Sequence, residues 1–262
     1  MTRFPTPPEP HIHFAMRSLM PIVLALCVLA APARAETKCA APPFDTLPAL
    51  AQSLSDLSLV FNAFSALRDT LNTEVSQVCI VDPMIGARGY FEPDTGRLML
   101  AADLPPGLGQ AVLVHELRHV QQFSLGTCPT PALTMQDYAQ AVFAMEADAS
   151  VTSLVVADFL RDRGKPAMWQ ALAEWPMQAD IAAAYDAFRA QGVEAAAAAA
   201  FAAWYDNEDR RRSYYASTCL DYLDREERSH RLPAQGALSE GFYSRLCVLP
   251  DGRAYSCMAP DD

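Results

Sequence analysis

A predominantly helical α+β fold is what this sequence predicts, and three observations predict it. Apolar residues recur at helical spacing through most of the chain beyond residue 46. Strand-like runs are confined to residues 78–102, where two of them flank a Pro93-Asp94-Thr95-Gly96 turn. The composition, 51% hydrophobic and 19% charged over 262 residues, is that of a globular protein and suits one domain of moderate size. It excludes a disordered polyelectrolyte, a collagen-like fibre and a polytopic membrane protein. A net charge of -11 repels phosphate backbones, so no nucleic-acid partner is expected.

The first 35 residues read as an address. Arg17 precedes the apolar run LMPIVLALCVLAA, and Ala33-Arg34-Ala35 follows it as an A-x-A cleavage pattern. The run is short for a bilayer and contains Pro21, so a signal peptide is expected and no stable membrane span after its removal. Met16 also suffices as a start, because the segment from there is a compact signal alone. The domain is then expected over residues 36–262, secreted or periplasmic. Beyond the leader six cysteines remain: Cys39, Cys79, Cys128, Cys219, Cys247 and Cys257. An even number in an exported chain predicts three disulfides. Cys247 and Cys257 flank a turn-like LPDGR segment and are the easiest pair to join. No C-x-x-C occurs, which argues against a cysteine metal site.

The elements follow in order. Residues 36–46 are Pro-rich and read as a loop. Leu47, Leu50, Leu54, Leu57, Phe61, Phe64, Leu67 and Leu71 keep a helical period. Residues 78–82 read as a strand and residues 89–102 as a hairpin. Pro105, Pro106 and Gly107 punctuate before a helix ending near Phe123. Thr134 with Asp137 resembles a capping box, opening a long helix to about Asp162. Further helices are expected near 167–175, 178–205 and 207–228. The segment from about 219 to 262 is expected to end irregularly or as a hairpin, stapled by disulfide.

Chemistry concentrates in Val112-Leu113-Val114-His115-Glu116-Leu117-Arg118-His119-Val120, an H-E-x-x-H on a predicted helix. Residues four apart share a helix face, so His115 and His119 can turn both imidazoles to one metal ion. Glu116 stands beside them, placed to take a proton from water that a zinc ion activates. Chance supplies this pattern about once in a hundred chains of such length. Three protein ligands leave one position for water, so a third is needed. The next helix offers Glu146 and Asp148, and periodicity alone does not choose between them. Glu146 lies among Ala139, Ser150, Ser153 and Ala157, small residues that another helix can approach closely. Asp148 lies beside Val155 and Phe159, which hold a partner further off. The favoured ligand is therefore Glu146, with Asp148 supporting it or facing solvent.

This arrangement resembles the zincin metallopeptidases, and within them the gluzincin type. That type pairs H-E-x-x-H with a Glu on a later helix, often with Ala three residues on, here Glu146 and Ala149. The resemblance spans about residues 78–160 and is similar in style to exported bacterial proteins known only as candidate metallopeptidases. It implies a zincin-like fold, a Zn2+ cofactor, a peptide or protein substrate aligned by a strand within residues 89–102, and Glu116 as general base. Two departures stand out: Ser150 occupies a position where many gluzincins carry Asp, and Arg118 intervenes between Glu116 and His119. Arg118 reads as a structural ion pair, and Gln122 can orient a ligand. For the developing oxyanion the candidates are Tyr205, Tyr214, Tyr215, His230 and Arg210-Arg211-Arg212. Trp204, Tyr205 and Phe201 also read as core. The competing readings are a zincin-fold binding or envelope-assembly protein without activity, and a disulfide-stapled helical protein without metal.

Overall fold

A computed structural model describes residues 36–229 and 235–258. The expected leader and His230 lie outside the described residues. Strand β1 (Glu36–Ala40) is followed by α1 (Pro48–Asp56), α2 (Ser58–Ala63) and α3 (Ser65–Thr73). Then come β2 (Gln77–Asp82), β3 (Gly89–Glu92), β4 (Arg97–Ala101), α4 (Pro106–Ser124) and α5 (Met135–Arg161). The remaining helices are α6 (Ala167–Glu174), α7 (Ala179–Phe188), α8 (Val193–Asp206), α9 (Glu208–Ser229) and α10 (Phe242–Leu246). The fold is α+β and mainly helical, as predicted, with a small sheet ahead of the H-E-x-x-H helix.

That sheet has the order β1-β2-β4-β3. β1 runs antiparallel to β2, β2 parallel to β4, and β3 antiparallel to β4. Two-residue alternation sorts the strands: Val78, Leu98 and Leu100 enter the main core, while Cys79, Val81 and Met99 form a small cluster on the opposite face. Residues 36–40, expected as loop, are instead the edge strand β1. The run ETKCA carries no Pro, and the Cys39–Cys79 disulfide ties it to β2 at a directly paired position.

The apolar period from Leu47 to Leu71 is realised as three short helices, bent at Leu57 and Phe64. Leu50, Leu57, Phe61, Phe64, Leu67 and Leu71 all stay buried, so the bends keep one stripe on a curved core. The helix expected over 178–205 breaks at Gly192, whose φ of 109° a side chain would oppose, and α8 packs back on α7. α5 is the central element. Ala141, Ala144, Ala147, Val151, Leu154 and Val156 are fully buried, and α4, α6, α8 and α9 pack around it. Thr134 caps it as predicted, its hydroxyl accepting from the Asp137 amide at 3.1 Å.

Two disulfides form among the described residues, correcting the expected three: Cys39–Cys79 and Cys247–Cys257. Cys128 and Cys219 keep free thiols because they face different neighbours. Cys128 lies by Tyr138 and Arg225, and burial pushes its thiol up to about 11. Cys219 is turned to Tyr215 one helical turn earlier. The C-terminal staple therefore closes a loop upon itself, and only a single bridge, Val248 with Ala254, gives it hairpin character. No helix of the described residues is long and apolar enough to cross a membrane.

Candidate metal centre

α4 begins at a proline in its first turn, where the missing N–H costs nothing. Its Gly107 lies against the Ala167 carbonyl, where an added Cβ would stand 2.4 Å from the oxygen. This contact seats α4 against α6. Further along, Val112, Leu113, Val114, Leu117 and Val120 are buried, which aims the remaining stripe, His115 and His119, into a cleft. α5 crosses beneath, and Ser153 donates to the Ala111 carbonyl at 3.2 Å. The small residues foreseen around Glu146 do permit this close approach.

The three residues converge. His115 Nε2 and His119 Nε2 are 3.0 Å apart. Glu146 faces both rings, with Oε2 3.4 Å from His115 Nε2 and Oε1 3.4 Å from His119 Nε2. One ligand atom from each lies within 4.8 Å of the others. The three side chains keep between 16% and 19% exposure, enough for solvent to reach the point they share. Burial alone would push the Glu146 carboxyl up. His119, His115 and the Tyr214 hydroxyl outweigh it and hold the group down to about 2. Two imidazole nitrogens and a carboxylate oxygen at this spacing suit a divalent cation such as zinc.

Glu116 is 5% exposed and lies against β3, where Gly89 leaves room for its Cγ and Oε1. Burial pushes its carboxyl up to about 7, with His119 opposing and Glu146 adding to the rise. Asp148 is fully buried rather than solvent-facing, and it does not join the cluster. It pairs with Arg118 at 2.7 Å, the structural ion pair the sequence suggested. Gln122 is also fully buried, and its Oε1 accepts from His119 Nδ1 at 2.7 Å. That bond leaves the Nε2 lone pair free for the shared point.

Among the described oxyanion candidates only Tyr214 reaches the cluster, its hydroxyl donating to Glu146 Oε2 at 3.1 Å. The Glu146 charge and burial push its phenol well up, so it stays a donor. Tyr205 is buried in the core with Trp204 and Phe201, and Tyr215 is half exposed. Arg210 lines the cleft, but its terminal nitrogens donate to the Trp204 and Met177 carbonyls and to Asp180. Arg212 pairs with Glu208 on the surface, and Arg211 is exposed.

The cleft encloses about 1010 Å³. β3, the edge strand opposite β1, forms one wall through Gly89, Tyr90 and Phe91. Phe91 stacks edge-on with Phe123 at 6.0 Å, and Trp175 and Met177 stand in the lining beyond Ala111. Sequence reasoning missed two contributors. Gly89 carries no side chain to read. Tyr255, which donates to Asp148, sits 107 residues away with no periodic signal.

A family model described as "Putative metallopeptidase family (DUF6782)" matches residues 33–257. No curated protein and no solved structure matches the chain.

Proposed function

The chain belongs to this putative metallopeptidase family, and from that premise we propose that it is a zinc-dependent peptidase of an oxidising compartment. The observation that carries the reading is the convergence of His115, His119 and Glu146 beside a buried Glu116. His115, His119 and Glu146 would hold Zn2+ and leave a fourth position for water. When bound, the ion supplies Lewis acidity and brings the pKa of coordinated water to about 7.

The protein's own groups do the rest. Glu116 takes the proton of the attacking water and passes it to the leaving amine. Burial strengthens the hold of the Glu116 carboxyl on that proton, which suits a group that must take it up before handing it on. The outer edge of β3 pairs with no other described strand, and its main chain can align an extended peptide along the cleft. The Tyr214 hydroxyl, bonded to Glu146 in the free site, would turn to the oxygen that gains charge as the carbonyl is attacked. Two disulfides suit a secreted or periplasmic site, and residues 1–35 would be the signal that delivers it there.

Metal analysis with three variants tests the reading. The purified protein should hold about one zinc per chain and cleave a denatured protein in a chelator-sensitive way. Glu116→Gln should keep the metal and lose hydrolysis, and Glu146→Ala should lose the metal. Metal loss on Asp148→Ala with retention in Glu146→Ala would reverse the ligand assignment. Zinc uptake without hydrolysis of any of a varied substrate set would leave a binding or envelope-assembly role.

A further inference from the structure

Two buried polar atoms belong to residues of the cleft wall and lack a hydrogen-bond partner among the described residues: Gln178 Oε1 and Arg210 Nε. Gln178 is 8% exposed and Arg210 is 3% exposed. A buried polar atom left unbonded is costly, so two of them beside a substrate cleft call for a partner that arrives with the ligand. Printed contacts place them together. Gln178 stands between α6 and α7, and its Nε2 donates to Ser150 Oγ at 3.1 Å. Ser150 is four residues, or about 6 Å, along α5 from Glu146. Arg210 lies four residues before Tyr214 on α9, and Tyr214 bonds Glu146. Arg210 Nη2 donates at 3.0 Å to the carbonyl of Met177, the neighbour of Gln178. Both residues therefore stand one helical turn from the metal centre, on its Ser150 side.

Ala111, Leu172, Trp175 and Met177 give the same part of the cleft apolar walls. A side chain entering there meets one unbonded acceptor and one unbonded donor. An aliphatic chain would leave both unbonded. A carboxylate could serve Arg210 but would face the Gln178 oxygen, and an ammonium could serve Gln178 but would face the guanidinium. A carboxamide serves both, its oxygen accepting from Arg210 Nε and its NH2 donating to Gln178 Oε1. Turned over, the Gln178 carboxamide would accept from Ser150 and set its NH2 near the Arg210 N–H, donors without an acceptor; that arrangement would select a carboxylate instead. We infer that Gln178 and Arg210 are specificity-determining residues that select a glutamine side chain next to the scissile bond. The inference rests on the peptidase reading above for the bond that is cut; the selection of the side chain is a matter of binding.

The test uses peptides alike but for one residue: glutamine, glutamate, methionine or lysine. Zinc-loaded protein gives kcat/KM and, by mass spectrometry, the bond cut. Calorimetry with zinc-loaded Glu116→Gln gives affinity without turnover. Wild type should cut the glutamine peptide about 10–100-fold more efficiently than the methionine one, at a bond flanking the variable residue. Glu116→Gln should bind the two in the same order. Gln178→Met removes the acceptor and should make methionine at least the equal of glutamine. Gln178→Glu keeps an oxygen in place and adds charge, and should raise lysine above glutamine. Altered preference, rather than a uniform loss, separates selection from loosened packing.

A wild type that ranks glutamate first, or glutamine no higher than methionine, would overturn the inference. So would Gln178→Met with the wild-type preference intact. If Gln178→Met fails to fold, Gln178→Glu carries the same decision. If no peptide is cut yet Glu116→Gln binds them in the expected order, the peptidase reading falls and the selection stands. Neither cleavage nor binding of any peptide would sink both.

Discussion

Gly89→Ala puts the spacing between the edge strand and the H-E-x-x-H helix under direct test. A Cβ at residue 89 would stand 2.7 Å from Val112 Cγ1, 3.0 Å from Glu116 Cγ and 3.1 Å from Glu116 Oε1. Carbon contacts relax only at about 3.5–4.0 Å, so β3 and α4 must part by roughly 1 Å or Glu116 must swing. Val112 and Glu116 are each 5% exposed, which leaves neither a free direction. Overpacking of this kind costs about 1–3 kcal/mol. At about 2–4 °C per kcal/mol for a domain of this size, the melting point should fall by roughly 2–12 °C. A carboxylate displaced by about 1 Å should also cost hydrolysis on the order of 100-fold. Gly109→Ala is the internal control. Gly109 lies in the same helix as Glu116, and its Cβ would meet only Leu104 Cβ, just before that helix, at an ordinary 3.7 Å. It should stabilise by about 0.4–1 kcal/mol. Calorimetry on both proteins decides the matter. If Gly89→Ala melts at or above wild type, or both alanines shift the melting point the same way, the close contact between β3 and Glu116 is refuted.

Three further outcomes are expected. Asp148→Ala strands a buried guanidinium and should destabilise by about 3–5 kcal/mol in urea unfolding, while Arg118→Met/Asp148→Leu should regain much of the loss. Tyr214→Phe should retain zinc and lower kcat by about 100-fold to 1000-fold at unchanged KM; a raised KM at full kcat would assign the hydroxyl to substrate binding instead. In the metal-free protein, burial raises the Glu116 carboxyl from 4.5 to about 7, so folding favours its protonated form. That contribution is fully present below about pH 4.5 and is lost as pH rises through 7, a change of up to about 3 kcal/mol that Glu116→Gln should abolish. Glu146 acts in the opposite window, losing its contribution as pH falls from 4.5 towards 2.

The local parts of the fold were legible because short-range physics writes them into the chain. The hairpin is announced by its turn, α5 by its capping threonine, and the shared face of His115 and His119 on α4 by a four-residue spacing. Glu146 could be favoured over Asp148 because small neighbours mark a surface that a second helix can approach. What stayed hidden depends on partners distant in sequence. β1 becomes a strand only because β2 offers it a ladder and a disulfide, and ETKCA alone carries little apolar pattern. The helix after residue 178 reads as continuous because an alanine-rich run masks the single glycine that breaks it. Three disulfides followed from counting, yet pairing needs facing side chains, and α9 turns Cys219 away. Among the oxyanion candidates no spacing rule separates Tyr214 from Tyr215; only the packing of α9 on α5 does.

α5 carries Glu146 and Asp148 near the middle of twenty-seven residues, with Met145, Ala147 and Ala149 buried around them. The amides there are enclosed by helices on several sides and lie far from either fraying end. Deuterium should enter them only when the whole domain opens, and their exchange free energy should equal the global stability. The helix that carries Glu146 is then not a gate. On the proposed peptidase reading, any breathing that admits a polypeptide must come from the perimeter, where β3 and the outer turns of α9 can exchange early.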